Sequence, residues 1–488
     1  MFQVNAAEEF SISDPEQFKL KAFYRANREE HACCLDSNGY QDAWSSFDCL
    51  IGSGSISILR PAENDFEALS VFLKETPGWK LGFLSYELKN EVEQLSSENP
   101  DPLAFPSLCF FIPRDLIILK GNTVRITSER KPASVFQEIL ETPLPPDTLP
   151  PGTIAQAALA DTVFPGTALP DTDLSGATFP DTVFPVAQPQ GRQPLAQPRD
   201  NQPIAQPRDN QPRIKQRVSR KSYLETVEKI RGHILEGDVY ELNYCLDFYA
   251  EEFECDPAAL FLRLNNLAPA PFASFLKLGS QYILCASPER FLKKTGSRII
   301  SQPIKGTIRR SDHKEEDEQL KKALQNSEKE RAENVMIVDL VRNDLARSSI
   351  PGSVRVTELC GIHTFRHWHQ MVSTVEAQAK PELNSVDIIR NAFPMGSMTG
   401  APKIMAMKLI DKYEEVKRGA FSGAIGYFSP DGDFDFNVVI RSMLYDSGKQ
   451  YLSFPVGSAI TYDSKAEDEY EECLLKAKAI RKLFNSVQ

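Results

Sequence analysis

Concentrated positive charge is missing from this sequence, and so are long apolar runs. Lysine and arginine gather nowhere outside 215–221, and the formal net charge of the 488 residues is -12. That balance argues against nucleic acid and anionic membranes as partners, since both are met by clustered positive charge. Residues 1–14 carry Glu8 and Glu9 and no long apolar core, so the reading is a protein with neither secretory signal nor spanning helix, working in the cytoplasm. Cysteine is sparse: nine are scattered, and the close pair Cys33-Cys34 has the wrong spacing for a zinc knuckle. They read as reduced thiols. The chain also lacks a Gly-Lys-Ser/Thr phosphate loop, because Ala401 and Pro402 separate Gly400 from Lys403. Nucleotide hydrolysis is thereby disfavoured.

What remains is ample material for folding. With 41% hydrophobic residues, the length suits roughly two to four domains. Residues 1–142 mix strand-like runs at 56–59, 108–112 and 115–119 with helical ones at 64–75 and 133–140, a mixed α/β domain. Gly82 to Glu87 alternates as a half-buried strand ending on an aromatic and an acid. From 143 to 213 the composition turns to Pro, Gln, Ala, Asp and Thr, DTVFP at 161–165 recurs at 181–185, and AQPRDNQP at 196–203 recurs at 205–212. Proline at this density removes backbone donors, so this segment reads as a disordered, fairly extended linker. A proline-rich ligand for another protein is the functional alternative. Dense periodicity resumes over 214–488, with a helix from Tyr223 that stops at Gly237 and a strand beginning at Val239.

The chemical groups gather in this last part. Lys305 stands between the short strand Arg298-Ile299-Ile300 and Gly306, where burial would make it a nucleophile; a surface lysine before a turn is the commoner case. Glu289 follows a proline turn between two strands. Such an acid is ordinarily solvated, but one facing a cavity gains proton affinity and suits proton donation. Glu330 and Glu333 stand one helical turn apart on a segment over 328–347, and Glu469 and Glu472 repeat the spacing on a helix that Ser464 and Glu467 would cap. Two carboxylates from each of two helices suit Mg²⁺, a hard cation that prefers oxygen and retains water. An exposed acidic face, with Glu472 paired to Lys476, is the alternative. Met395 to Lys403 opens a helix with glycines and proline before it, a cradle for an anion. Arg441 ends an alternating run from Phe434, facing away from its apolar side, where it either clamps a carboxylate or makes a surface ion pair.

In this order, Gly237-Asp238-Val239-Tyr240, Ser287 to Phe291, Pro303 to Thr307, Glu333 to Leu340, Gly396 to Lys403 and Asp463 to Lys476 closely resemble the chorismate-utilising enzymes, the family of anthranilate synthase component I, aminodeoxychorismate synthase component I and isochorismate synthase. The resemblance spans about 222–488; residues 1–142 resemble the family's regulatory half loosely, and the repeat is not a family feature. It implies an α+β fold of two large antiparallel sheets packed face to face with peripheral helices. It implies Mg²⁺ on Glu333 and Glu472 with Glu330 and Glu469 in support, and substrate contacts from Arg441, Lys476, Gly306, Thr307 and the amides near Thr399, Gly400, Gly457 and Ser458. Lys305 matches the aminodeoxychorismate branch, whereas anthranilate synthases resemble it with alanine there. Amination of chorismate at C4 is the activity so implied, with Lys305 attacking C2, Glu289 protonating the departing hydroxyl, and ammonia from a separate glutamine amidotransferase subunit. Anthranilate synthesis and an inactive scaffold working through the proline-rich segment are the alternatives. Two departures stand out: Gln370 occupies the family's histidine position with His369 one residue early, and Phe421 stands where anthranilate synthases have tyrosine.

Overall fold

Strand alternation sorts the apolar residues onto two sides. In the computed structural model, which describes residues 6–61, 63–145 and 213–485, the strand Gln281–Ser287 sends Tyr282, Leu284 and Ala286 into one apolar cluster and Ile283 and Cys285 into another. The neighbouring strand Phe272–Leu278 divides in the same way, Phe275 to the first and Leu276 to the second. Strands buried on both faces read as nearly continuous apolar runs, because neither side meets water.

Among the described residues nineteen strands join into one antiparallel hydrogen-bonded network, and Glu241–Leu246, Gly400–Ala401 and Val456–Ile460 form a second sheet. Residues from before and after the repeat pair directly. His31–Asp36 lies beside Phe272–Leu278, and Lys80–Leu84 beside Ala424–Phe428. Helices flank the sheets, and among the described residues none is long and apolar enough to cross a membrane. The α+β, antiparallel expectation is met. The proline-rich repeat falls, over 146–212, outside the described residues.

Local readings need several corrections. The runs at 108–112 and 115–119 are one strand, Leu108–Lys120, because Pro113 sits where the opposite strand Cys49–Leu59 shifts register between Ser55 and Ser57. At such a bulge a missing N–H leaves no ladder bond unmade. The 82–87 run is a strand only to Leu84, and that strand, Lys80–Leu84, is buried throughout, with Tyr86–Leu88 forming a short 3₁₀ turn. The run from Phe434 breaks after Asn437. Val438 and Val439 donate their amides to Glu289 and Gly423 carbonyls, Arg441 adopts φ 51°, and a new strand starts at Ser442. Alternation therefore does not set the direction of Arg441. The helix over 220–236 ends as expected on Gly237, at φ 83°.

Candidate active site

Two helices, Glu328–Ser348 and Ala466–Asn485, bring their i, i+3 acids to one cavity of about 190 Å³. The opposite walls come from the turn after Gln281–Ser287, from Ile304–Arg309, and from the break at Arg441. Lys305, Gly306, Thr307, Glu289, Arg441, Lys476, Gly457 and the four glutamates all line this space. Thr399, Gly400 and Ser458 do not. The Gly400–Ala401 backbone is consumed by pairing with Leu242 and Glu241, and a Cβ on Gly400 would stand 2.1 Å from the Glu241 carbonyl. The Thr399 amide donates to Gly396 O, and Ser458 Oγ lies 3.1 Å from the Tyr223 hydroxyl. Ser464 stands one residue before the N-cap of the helix from Ala466, and its hydroxyl accepts from the Thr461 amide at 3.0 Å and donates to Glu469 Oε1 at 2.8 Å, which is not the expected capping box.

Glu289 is wholly enclosed. Burial pushes its carboxyl up to about 7, against the Ser397 hydroxyl, which donates to Oε1 at 2.6 Å, and against Lys305 and Arg441. A carboxylic acid near neutrality can hold a proton and give it away. Arg441 shares this pocket. Desolvation lowers it to about 10, with Glu289 opposing, and its guanidinium lies over the Trp368 ring at 5.3 Å.

Lys305 is not in the apolar setting that would lower its proton affinity. Its ammonium donates to Glu241 Oε1 at 2.7 Å and lies 3.8 Å from Glu333 Oε2. Burial alone would pull the amine down, but Glu241, Glu333 and Glu330 outweigh it and hold it above its ordinary range. Gly306, at φ 81°, makes no turn but sits inside this strand where the register with Trp368–Gln378 shifts between Ile304 and Thr307; a Cβ there would meet Glu330 Oε2 at 2.9 Å.

The glutamate wall is crowded with like charge. Burial and Glu333 push Glu330 up to about 7, while burial also raises Glu333 and, with Glu472, Glu469. Burial works in the same direction on Glu472, but Lys476 at 2.6 Å brings that carboxyl below its usual range. Lys476 also donates to the Gly457 carbonyl at 2.7 Å. Confined carboxylates with raised proton affinity are a donor set that a divalent cation relieves, and all-oxygen ligands fit Mg²⁺. Among the described residues, the cluster with ligand atoms within 4.8 Å of one another is His233, Glu236 and Asp238, outside this cavity. There both imidazole nitrogens are already engaged, by Asp238 and Tyr413.

Motif reading passed over Glu241, Ser397 and Lys329. Glu241 had a signal: with Asn243 it is a polar residue at alternate positions of a strand whose other residues are apolar, and both are buried. Lys329 reaches Glu333 at 3.9 Å from the first turn of its helix. His369 is turned away, held by Asp317 at 3.0 Å and Thr364 at 2.9 Å, while Gln370 and Phe421 line the cavity.

Residues 58–482 match a family described as chorismate binding enzyme. The chain is 44% identical over 264 residues to "Aminodeoxychorismate synthase, chloroplastic" of Arabidopsis thaliana, covering 54% of this chain and 28% of that protein. It is 41% identical over 265 residues to "Aminodeoxychorismate synthase component 1" of Escherichia coli (strain K12), covering 54% of this chain and 58% of that one. The matches thus span less than two thirds of either relative. Anthranilate synthase component I from Streptococcus pneumoniae TIGR4 has the same fold, with a TM-score of 0.68 at 23% identity over 90% of this chain and 93% of that one.

Proposed function

This chain belongs to the chorismate-binding enzyme family, and on that premise we propose that it aminates chorismate to 4-amino-4-deoxychorismate, a precursor of para-aminobenzoate and folate, with ammonia from a separate glutamine amidotransferase subunit. The observation that carries the reading is the placement of Lys305 in one cavity with Glu289 and the four glutamates. An amine there serves a nucleophilic route, whereas the anthranilate branch, by its resemblance, carries alanine.

Lys305 first loses a proton, and Glu241 Oε1 at 2.7 Å is the acceptor. The amine then forms a bond to ring C2 while both ring double bonds shift one position toward C4 and the C4–O bond breaks, Glu289 giving its proton so that the hydroxyl leaves as water. Ammonia next adds at C4 as the C2–N bond breaks. Its surplus proton returns to Glu289, and Lys305 is regenerated. Arg441, stiffened by Trp368, holds a substrate carboxylate, with Lys476 and the backbone at Gly457 beside it. Glu333 and Glu472 would hold Mg²⁺, supported by Glu330 and Glu469. When bound, that ion supplies positive charge beside an anionic substrate. The nine cysteines are free thiols, among them Cys34 and Cys49 with sulfurs 3.8 Å apart, which suits a reducing compartment such as the cytoplasm.

The test is direct: incubate the purified chain with chorismate, Mg²⁺ and ammonium, and identify the product by mass spectrometry. Aminodeoxychorismate is expected. Anthranilate as product, or no consumption of chorismate, overturns the reading.

A further inference from the structure

Glu241 Oε2 and Asn334 Nδ2, both buried near the cavity, lack a hydrogen-bond partner, but among the described residues that line it Gln370 is conspicuous in lacking one on both side-chain atoms. His369 is bonded on both ring nitrogens, Ser397 donates to Glu289, and Ser373 Oγ donates to Asn334. Gln370 is fully buried and lines the cavity, yet neither its Oε1 nor its Nε2 has a hydrogen-bond partner in the protein. It is fixed in mid-sheet, its backbone paired with Thr307 on one side and His363 on the other. A carboxamide enclosed in this way carries the desolvation penalty of both a donor and an acceptor until something in the cavity satisfies them.

Because both atoms lack partners, the ligand group is constrained. A carboxylate only accepts, so it would bond Nε2 and leave Oε1 facing negative charge. An ammonium only donates, with the converse defect. A hydroxyl does both. The cavity already offers cations for anionic ends and carboxylates for a metal ion, and Gln370 supplies neutral, two-sided recognition. Resting on chorismate as substrate, we propose that Gln370 is a specificity-determining residue for the ring hydroxyl, its amide N–H donating to the hydroxyl oxygen and its carbonyl accepting the hydroxyl proton. The oxygen keeps a second lone pair for the Glu289 proton, so the two contacts do not compete.

The experiment uses two ring-saturated analogues of chorismate that differ only in that hydroxyl, measured as competitive inhibitors of chorismate amination. The wild type should prefer the hydroxylated analogue by about 100-fold or more, since a site built to bond a hydroxyl penalises its absence. Gln370→Leu should lose most of that preference, about tenfold or more, through weaker binding of the hydroxylated analogue alone. Its thermal stability should be unchanged or higher, because an unbonded amide is replaced by an apolar group of similar size; a structural amide would instead lower it. Gln370→Glu, which retains an acceptor and loses the donor, should likewise weaken the hydroxylated analogue and serves if the leucine variant does not fold. A wild type that aminates chorismate but shows no hydroxyl preference, or variants that keep the wild-type preference, overturns the assignment of Gln370 alone. A wild type that does not aminate chorismate overturns the proposed function, and this assignment with it.

Discussion

Residues 6–145 and 213–485 contribute strands to one antiparallel network, yet every residue lining the 190 Å³ cavity comes from Asn243 onward. A pair of buried acids shows what separates the two regions. Asp115, in the first, is fully buried, but it accepts from Ser128 at 2.6 Å, Arg25 at 2.8 Å and Arg130 at 3.2 Å. Burial works to raise its carboxyl, and those partners bring it below its ordinary range. Glu289, in the second, has one hydroxyl donor, and burial carries it to about 7. An acid with a full set of partners is committed to holding strands together. An acid left partly unsatisfied beside a cavity remains able to exchange its proton.

The sharpest way to break this contrast is at Lys305. Lys305→Ala should lower aminodeoxychorismate formation by about 10⁴-fold, since removal of a nucleophile abolishes the covalent route. It also strands Glu241 in a buried site, which costs about 3–5 kcal/mol when one partner of such a pair is removed. The double variant Lys305→Ala with Glu241→Gln should therefore regain thermal stability without regaining turnover. A double variant as active as wild type would show that the ion pair is as structural as that of Asp115. Intact-protein mass spectrometry of the wild type with chorismate and no ammonia should find an adduct on Lys305.

Next in size are the glutamates. Glu333→Gln or Glu472→Gln should reduce turnover by about 10³-fold and shift Mg²⁺ dependence to much higher concentration, because a hard-cation site depends on ligand charge. Wild-type Mg²⁺ titrations in both variants would dissolve the shared site.

A smaller and more diagnostic effect concerns Glu289. Glu289→Gln should cost about 10²-fold in turnover, and the pH profile should change form. As the acid, Glu289 must carry its proton, so the wild-type rate should fall as pH rises through about 7, and the Gln variant should lack that limb. The same raised value makes a stability statement: protonation favours the folded state, fully so below the ordinary carboxylate range, and the contribution is lost as pH rises through about 7. Melting curves across pH should show Glu289→Gln less pH-sensitive than wild type in this window.

These contrasts also mark how far residues alone could be read. The acids at 330/333 and 469/472 were legible because i, i+3 spacing puts both on one helix face, and Lys305 and Glu289 because short motifs flank them. Long-range pairing hid the rest. Lys305 keeps its proton because of Glu241, on a strand from another sheet. The amides at 399–400 looked free to bind an anion until pairing with Leu242 consumed the turn. Arg441 enters the cavity because backbone bonds to Glu289 and Gly423 interrupt a run whose alternation pointed elsewhere. None of these follows from local periodicity, since each depends on a partner distant in sequence.

The smallest effect should come from the segment between the two regions. We propose that residues 143–213 join 1–142 to 214–488 without serving the chemistry, so deleting 150–211 should leave ammonia-dependent turnover within about twofold of wild type. The pairing of 31–36 with 272–278 and of 80–84 with 424–428 already binds the first region to the second, and no lining residue of the cavity precedes Asn243. Loop-closure entropy varies only logarithmically with length, so shortening the connection should change stability by about 2 kcal/mol, in the favourable direction unless the remaining link is too short to span its ends. Urea midpoints and initial rates of the deletion variant measure both terms. Unchanged ammonia-dependent rates with impaired glutamine-dependent rates would assign the repeat to contact with the amidotransferase. A large loss of ammonia-dependent activity in a folded variant would mean that this segment acts on the cavity itself, and the separation of scaffold from chemistry would fail.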